Sequence, residues 1–496
     1  MLYQKKEGRT MNESTVFNKE TRTAMPSARI TADFNRPVGR PIRPLHGMNS
    51  GPRTTAVYDA RPQFVEAGIP FVRLHDIEYP YGSGEYVDVP CIFKCFDADE
   101  NDPTSYNFAQ TDEYIRQCRS VDAKIIYRLG VSIEHNPTKL YTYPPKDFAK
   151  WARICEHIIR HYNEGWANGY AWNIEYWEIW NESDAESTKT WAGTQQQFIE
   201  FYAVAAHHLK ARFPHLKIGG CGFTGSHLEN VNRFLAAVGE RALPLDFFSF
   251  HTYSATPERP LALWQYFRDT LREIGHADTE IWLDEWNYMG AWDPINQPLY
   301  YPAMKDYRGA CYYAAMLCAM QSKTDIAGAT YFEAAPVKEF CGIFNVGEMR
   351  VSIRNSACVV PTKGFYAFKS FNSLYRMGEE VAVNCDNEDI QVLAAKGDCG
   401  NGLLVVNQGI EPVDLQLSLK GCKTDIVLRL TDSLRTNEVI RKVLCEKSDH
   451  VSLFLPAQSF AYIGTDLPNP IPTYDKDCYA SVSSAPPKEW GNDIFD

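Results

Sequence analysis

Between Ile42 and Phe332 the chain returns again and again to short apolar runs of strand length. The runs are Ile42–Gly47, Phe71–Leu74, Lys124–Arg128, Tyr176–Trp180, Lys217–Gly220, Phe247–Phe250, Ile281–Asp284 and Gly328–Phe332. Segments between them, such as Pro145–Tyr162, Thr194–Phe213 and Arg308–Ser322, carry apolar residues at helical spacing. Strand and helix in strict alternation build a parallel sheet, because a parallel pair needs a long crossover. Eight strands predict an α/β fold, a (β/α)8 TIM barrel. The rival is an open, doubly wound, nucleotide-binding sheet, but no Gly-x-Gly-x-x-Gly turn follows the first run and no Gly-Lys-Ser/Thr loop occurs.

Beyond Leu374 the pattern changes to alternating segments, Gln391–Ala395, Gly402–Val406, Val413–Leu419, Asp425–Leu430 and Val451–Phe454, separated by polar or glycine-containing turns. These read as antiparallel strands of an accessory β-sandwich. The expected division is therefore a segment 1–40, whose piece Ala28–Phe34 adds a strand to the sandwich, a catalytic barrel 41–374, a sandwich 375–466 and an extended tail 467–496 rich in Pro, Ser and Asp.

The formal charge of −12 argues against nucleic acid or an anionic membrane as partner, since both favour clustered Lys and Arg. No apolar run reaches the length of a membrane span, and the N-terminal residues show no secretory pattern. The 14 cysteines are scattered singly, which suits reduced thiols and a cytoplasmic location. Cys91 and Cys95 form a close pair without a matching second pair, so no metal site is expected. A homo-oligomer stays open.

Two of the strand runs end in carboxylates: Tyr176-Trp-Glu-Ile-Trp-Asn-Glu182 and, about a hundred residues later, Ile281-Trp-Leu-Asp-Glu-Trp-Asn287. Residues at the C-terminal ends of barrel strands face the pocket. Two carboxyl groups there are the minimum equipment for hydrolysing a glycosidic bond. Taken singly, either glutamate also reads as a salt-bridged residue on a buried strand.

Trp180-Asn181-Glu182 on the fourth strand and Asp284-Glu285-Trp286-Asn287 on the seventh resemble the catalytic motifs of clan A glycoside hydrolases. Within that clan the chain resembles glycoside hydrolase family 39, the β-xylosidase and α-L-iduronidase family. Val72-Arg73-Leu74-His75, Pro144–Phe148, Trp191–Thr194 and Gly364–Phe368 extend the likeness over roughly Ile42 to Leu374. The resemblance implies a retaining hydrolase without a cofactor, with Glu182 as acid/base and Glu285 as nucleophile. It also implies that Asn181 contacts the sugar 2-hydroxyl, that His251 touches the glycone and that Tyr253 donates to Glu285.

Arg73 either holds Glu285 ionised or makes a structural salt bridge. His75, two residues on and so on the same side of the strand, is a further sugar contact, as is Glu134 after the third strand. Trp286, with Tyr288 and Trp292, offers aromatic faces for a sugar ring or for the core. The eighth strand ends in Tyr331-Phe332-Glu333, where many clan A barrels place Trp, so Glu333 enters the expected site as a third carboxylate. An acidic loop, Asp97–Asp102, reads as solvated, with an ion site or sugar subsite as the lesser alternatives. A β-xyloside or its oligosaccharide, cleaved from the chain end, is the expected substrate, with arabinosides, galactosides and iduronides as the alternatives inside the clan, the last disfavoured because an acidic loop does not supply the cationic contacts a uronate carboxylate needs. A binding barrel that cleaves nothing is the alternative outside it.

Overall fold

A computed structural model describes residues 26–52, 59–77, 86–185, 187–334, 341–346, 359–444 and 449–471. Eight parallel strands close into a barrel: β1 (Gly47–Asn49), β2 (Phe71–Leu74), β3 (Lys124–Leu129), β4 (Tyr176–Ile179), β5 (Lys217–Phe223), β6 (Phe247–Ser254), β7 (Glu280–Tyr288) and β8 (Gly328–Tyr331). Helices such as Phe148–Glu164 and Gln195–Arg212 pack outside it. The second of these starts at a capping box in which Thr194 and Gln197 satisfy each other's backbone N–H.

The first strand differs from the expected Ile42–Gly47. Pro41 and Pro44 lack the N–H that a ladder needs, and the Ile42 N–H is taken by the Gly378 carbonyl at 2.8 Å. Pairing begins only at Gly47, which meets Thr330, while Met48 meets both Val72 and Tyr331 and so closes the barrel. A Cβ on Gly47 would lie 2.8 Å from both the Ala329 carbonyl and the Thr330 methyl, so the closure needs glycine. The sixth and seventh strands run longer than their apolar cores suggest, which carries polar residues up to the barrel mouth.

The expected β domain follows the barrel as a nine-stranded, mostly antiparallel sheet curled over a core that includes Ile30, Leu415, Leu417, Leu428 and Ile463. Strand Ser27–Pro41 enters the middle of this sheet, antiparallel to Glu379–Cys385 and parallel to Val413–Lys420. Of the expected tail, residues 472–496 lie outside the described residues. Helix Tyr307–Lys323 is buried on nearly every side, as a helix apolar all round must be. It is wedged between barrel and sheet, with Cys311 Sγ donating to the Asn407 carbonyl. Arg40 forks onto Glu380 with two bonds of 2.7 Å, and Gln321 joins the same carboxylate at 2.6 Å. Among the described residues, no helix is long and apolar enough to cross a membrane.

Replacing Gly47 by Val is expected to push β1 from β8 and cost about 1–3 kcal/mol. A urea denaturation midpoint equal to that of the wild type would count against this account of barrel closure.

Candidate active site

The barrel mouth gets its carboxylates by two local departures from regular strand geometry. On β4, alternation turns Glu178 inward, where it is fully buried. Trp180 and Glu182 then adopt left-handed backbone conformations, φ 73° and 48°, which swing Asn181 and Glu182 across the top of the barrel. On β7 the register slips. Phe250 pairs with Leu283 but His251 pairs with Glu285, so Asp284 is an extra residue. Without a bulge, Asp284 and Glu285 would point to opposite faces. With it, both reach the same guanidinium, Asp284 Oδ2 at 3.3 Å from Arg73 Nε and Glu285 Oε2 at 3.4 Å from Arg73 Nη1.

Arg73 is completely buried on β2 and spends its whole fork inside the barrel. Nε donates to Glu178 Oε2 at 2.7 Å, Nη1 to Asn49 Oδ1 at 3.1 Å, and Nη2 to Asn181 Oδ1 at 2.7 Å. Burial opposes its charge, but Glu178, Asp284 and Glu285 outweigh that and raise its pKa, so the cation persists. Glu178 is pressed upward by burial yet held below the ordinary carboxylate range by the charge of Arg73 and by hydrogen bonds from Arg73 and Ser249. Asp284 goes the other way, raised by burial and by the charge of Glu178. One cation among several acids leaves Asp284 as the one that keeps its proton.

Above this cluster, one carboxylate oxygen of Glu182, one of Glu285 and a ring nitrogen of His251 all lie within 4.8 Å of one another. Among the described residues no other group of three His, Cys or acidic side chains is gathered so closely. Burial raises both glutamates to about 7. Two carboxyls this close share a proton, and the surrounding donors decide which one holds it. Glu285 faces two: the Tyr253 hydroxyl donates to Oε1 and Arg73 Nη1 to Oε2 at 3.4 Å. Glu182 meets neither, and its Oε1 lies 2.8 Å from His251 Nδ1, whose role as donor or acceptor follows the ring's tautomer. The ionised form therefore belongs to Glu285 and the proton to Glu182. His251, pushed down to about 4 by burial, is neutral.

Both carboxyls open into a cavity of about 1190 Å³, whose wall includes Asp76, His227, Arg259, Trp292 and Phe332. His251 and Tyr253 line it as well. Other expected contacts sit elsewhere. Trp286 is fully buried, edge-on to Tyr331 at 5.6 Å and packed on Phe368, so it serves the core behind β7. Trp292 is the aromatic at the cavity, half exposed and edge-on to Tyr253 at 4.9 Å.

Glu134 spends its carboxylate on the backbone N–H groups of Leu140, Tyr141 and Thr142, the first at 2.6 Å, and so fixes a loop. Its neighbours Ile133 and His135 reach the cavity instead. Glu333 is buried and accepts from Ser50 Oγ at 2.6 Å, and His75 is buried near Phe332 with Nε2 3.4 Å from Asp76 Oδ1. None of these three side chains lines the cavity.

The acidic loop is tied outward to helix Phe148–Glu164. Glu100 accepts from Arg153 at 2.7 Å and meets Lys150 at 3.4 Å, bonds that overcome desolvation and draw it down to about 2. It therefore gives no argument for or against an acidic sugar. Sequence reasoning passed over Glu178 and Asp284. Glu178 could be found from its spacing, four residues before Glu182, whereas the role of Asp284 depends on the bulge.

The model of glycosyl hydrolases family 39 matches residues 58–331, more than half of the chain. The chain belongs to family 39. It is 24% identical over 341 residues to a β-xylosidase of Geobacillus stearothermophilus, covering 61% of this chain and 64% of that protein. It is 25% identical over 233 residues to the α-L-iduronidase of Homo sapiens, covering 43% and 33%. The chain thus spans less than two thirds of the length of these relatives. The fold is shared with a glucosidase from Croceicoccus marinus at a TM-score of 0.71 and 21% identity, covering 90% of this chain and 100% of that one.

Two family 39 tryptophans next to the site are expected to part company. Trp286→Ala should cost about 3–5 kcal/mol of stability as a core truncation, measured by denaturant titration. Trp292→Ala should leave stability within about 0.5 kcal/mol in the same titration. A stable Trp286→Ala protein would refute this assignment.

Proposed function

We propose that this family 39 chain is a retaining, exo-acting, β-xylosidase-like glycoside hydrolase. The observation that carries the reading is the spacing of Glu182 and Glu285, whose nearest recorded oxygens are no more than 4.8 Å apart at the barrel mouth. Retention by a covalent route uses carboxyls about 5–5.5 Å apart, whereas inversion needs about 6.5–9.5 Å to admit a water. In the first step Glu285 attacks the anomeric carbon as Glu182 passes its proton to the leaving oxygen. The C–O bond to the aglycone breaks and a glycosyl ester forms on Glu285. In the second, Glu182, now ionised, takes a proton from water as the water oxygen displaces Glu285.

The neighbours support these roles. The Tyr253 hydroxyl holds the attacking carboxylate, and Arg73 offsets its charge. Asn181 Oδ1 accepts from Arg73 Nη2 at 2.7 Å, so the amide NH2 is the group left to meet a sugar 2-hydroxyl, a bond that strengthens in the transition state. Trp292 offers a face for a sugar ring. The substrate expectation follows the β-xylosidase relatives, and a panel of aryl xylosides, arabinosides, galactosides and uronides would rank the sugars, while product analysis on oligosaccharides would test exo action.

Glu285→Gln should abolish turnover of every glycoside in that panel, and unchanged turnover would remove it as nucleophile. Glu182→Ala should lower kcat/KM about 10²–10⁴-fold on substrates with a poor leaving group and far less on a dinitrophenyl glycoside. The productive form has Glu285 ionised and Glu182 protonated. The wild-type rate should therefore rise with pH as the pair loses its first proton and fall as Glu182 loses the second, near pH 7. With Glu182→Ala and the activated substrate the falling limb should be gone; if it persists, it reports another group.

A further inference from the structure

The turn that carries Glu182 is fastened at both ends. Before the glutamate, Trp180 donates its backbone N–H to the Leu129 carbonyl at 2.7 Å and its ring N–H to the Thr190 carbonyl at 2.9 Å, while Arg73 holds Asn181. After the glutamate the fastening is Asp184, a completely buried carboxylate. Its oxygens accept from Thr224, the backbone N–H lying 3.0 Å from Oδ1 and 3.2 Å from Oδ2 and the hydroxyl 2.7 Å from Oδ2. The Asp184 carbonyl accepts from Asn230 Nδ2 at 3.0 Å, and the Glu182 N–H donates to the Gly222 carbonyl at 3.0 Å. Four donors thus clasp residues 182–184 to the segment 222–230, which runs from the end of β5 into helix Leu228–Arg241.

The turn needs such a clasp. Glu182 stands at φ 48°, two residues after Trp180 at φ 73°, and side chains other than glycine keep that left-handed conformation only where their surroundings enforce it. The segment on the other side of the clasp is itself seated against the site. A Cβ on Gly222 would meet His251 Nε2 at 2.8 Å and Arg73 Nη2 at 3.0 Å, so the backbone there has no room to move inward. The same segment supplies Thr224, Ser226 and His227 to the wall of the cavity into which Glu182 opens.

We propose that Asp184 is a positioning residue for proton transfer: through Thr224 it locks the Glu182 turn to the end of β5 and so sets where the Glu182 carboxyl stands against the bond to be cleaved. This deepens the retaining-hydrolase reading and rests on it. A proton donor must come within about 2.6–3.2 Å of the leaving oxygen, and a misplacement of about 1 Å costs about 10²-fold in rate. Glu285 is held independently, by β7, Tyr253 and Arg73. Loss of the clasp is therefore felt where the leaving group needs a proton and not where it departs unaided.

Two glycosides of the same sugar, one with a phenyl and one with a dinitrophenyl leaving group, separate this role from a merely structural one. Asp184→Ala should lower kcat/KM about tenfold or more on the phenyl glycoside and little on the dinitrophenyl glycoside. Asp184→Asn keeps an oxygen for the Thr224 N–H and an NH2 that donates to the Thr224 hydroxyl, and should stay within a few-fold of the wild type on both. Thr224→Val spares the backbone N–H, so it should show the same selectivity with a smaller loss. Added to Asp184→Ala it should bring no further selectivity, since both act through one contact. Equal losses on the two glycosides, an Asn variant as poor as the Ala variant, or additive losses in the double variant overturn the proposal. Should Asp184→Ala not fold, Thr224→Val decides, a selective loss supporting the proposal and an equal loss overturning it. Hydrogen exchange gives a reading independent of turnover: the amides of Glu182 and Thr224 should exchange faster together in the folded variant, and unchanged exchange at Glu182 overturns the proposal. If the wild type cleaves no glycoside, the functional reading fails, while exchange still reports whether Asp184 holds the turn.

Discussion

The site depends on a single buried cation. Arg73 reaches Glu178, Asn49, Asn181, Asp284 and Glu285 from one fork, and so ties together β1, β2, β4 and β7 at the barrel's upper layer. Removing one partner from a buried ionic network commonly costs about 3–5 kcal/mol, because the remaining charges are left without compensation. Here it would also release both Glu285 and Asn181, the residue next to Glu182. Stability of the barrel interior and order in the site therefore come from the same side chain.

The acids outnumber that cation, and the excess is handled by protons. Glu178 stays ionised because Arg73 and Ser249 donate to it, Asp284 stays neutral because it is buried beside Glu178, and Glu182 and Glu285 divide one proton according to the donors each one meets. None of the four behaves as its model compound does in water. The difference arises from desolvation and from hydrogen bonds placed by three different strands.

Much of the fold was legible in sequence because hydrophobic period reports directly on which face of an element is buried. The eight runs, the change of pattern after Leu374 and the extra N-terminal strand could be read that way. The start of β1 could not: prolines at 41 and 44 and the ladder partners of Gly47 moved it later. Glu134, Glu333 and Trp286 carry the right chemistry in the right neighbourhood, yet each turns to a backbone loop, a serine or the core. Residue type and approximate position do not encode side-chain direction at a strand end, where alternation breaks down.

By itself, the sequence determined that two strands would deliver carboxylates to one end of a barrel, since strand alternation and the Trp-Asn-Glu and Asp-Glu-Trp-Asn strings are local properties. Only the tertiary structure decided which acids share a proton and which aromatic faces the cavity. The reason is the slip between β6 and β7 that inserts Asp284 beside Glu285. A one-residue change of register exchanges the two faces of a strand, and its position is set by pairing with a neighbour rather than by the strand's own residues.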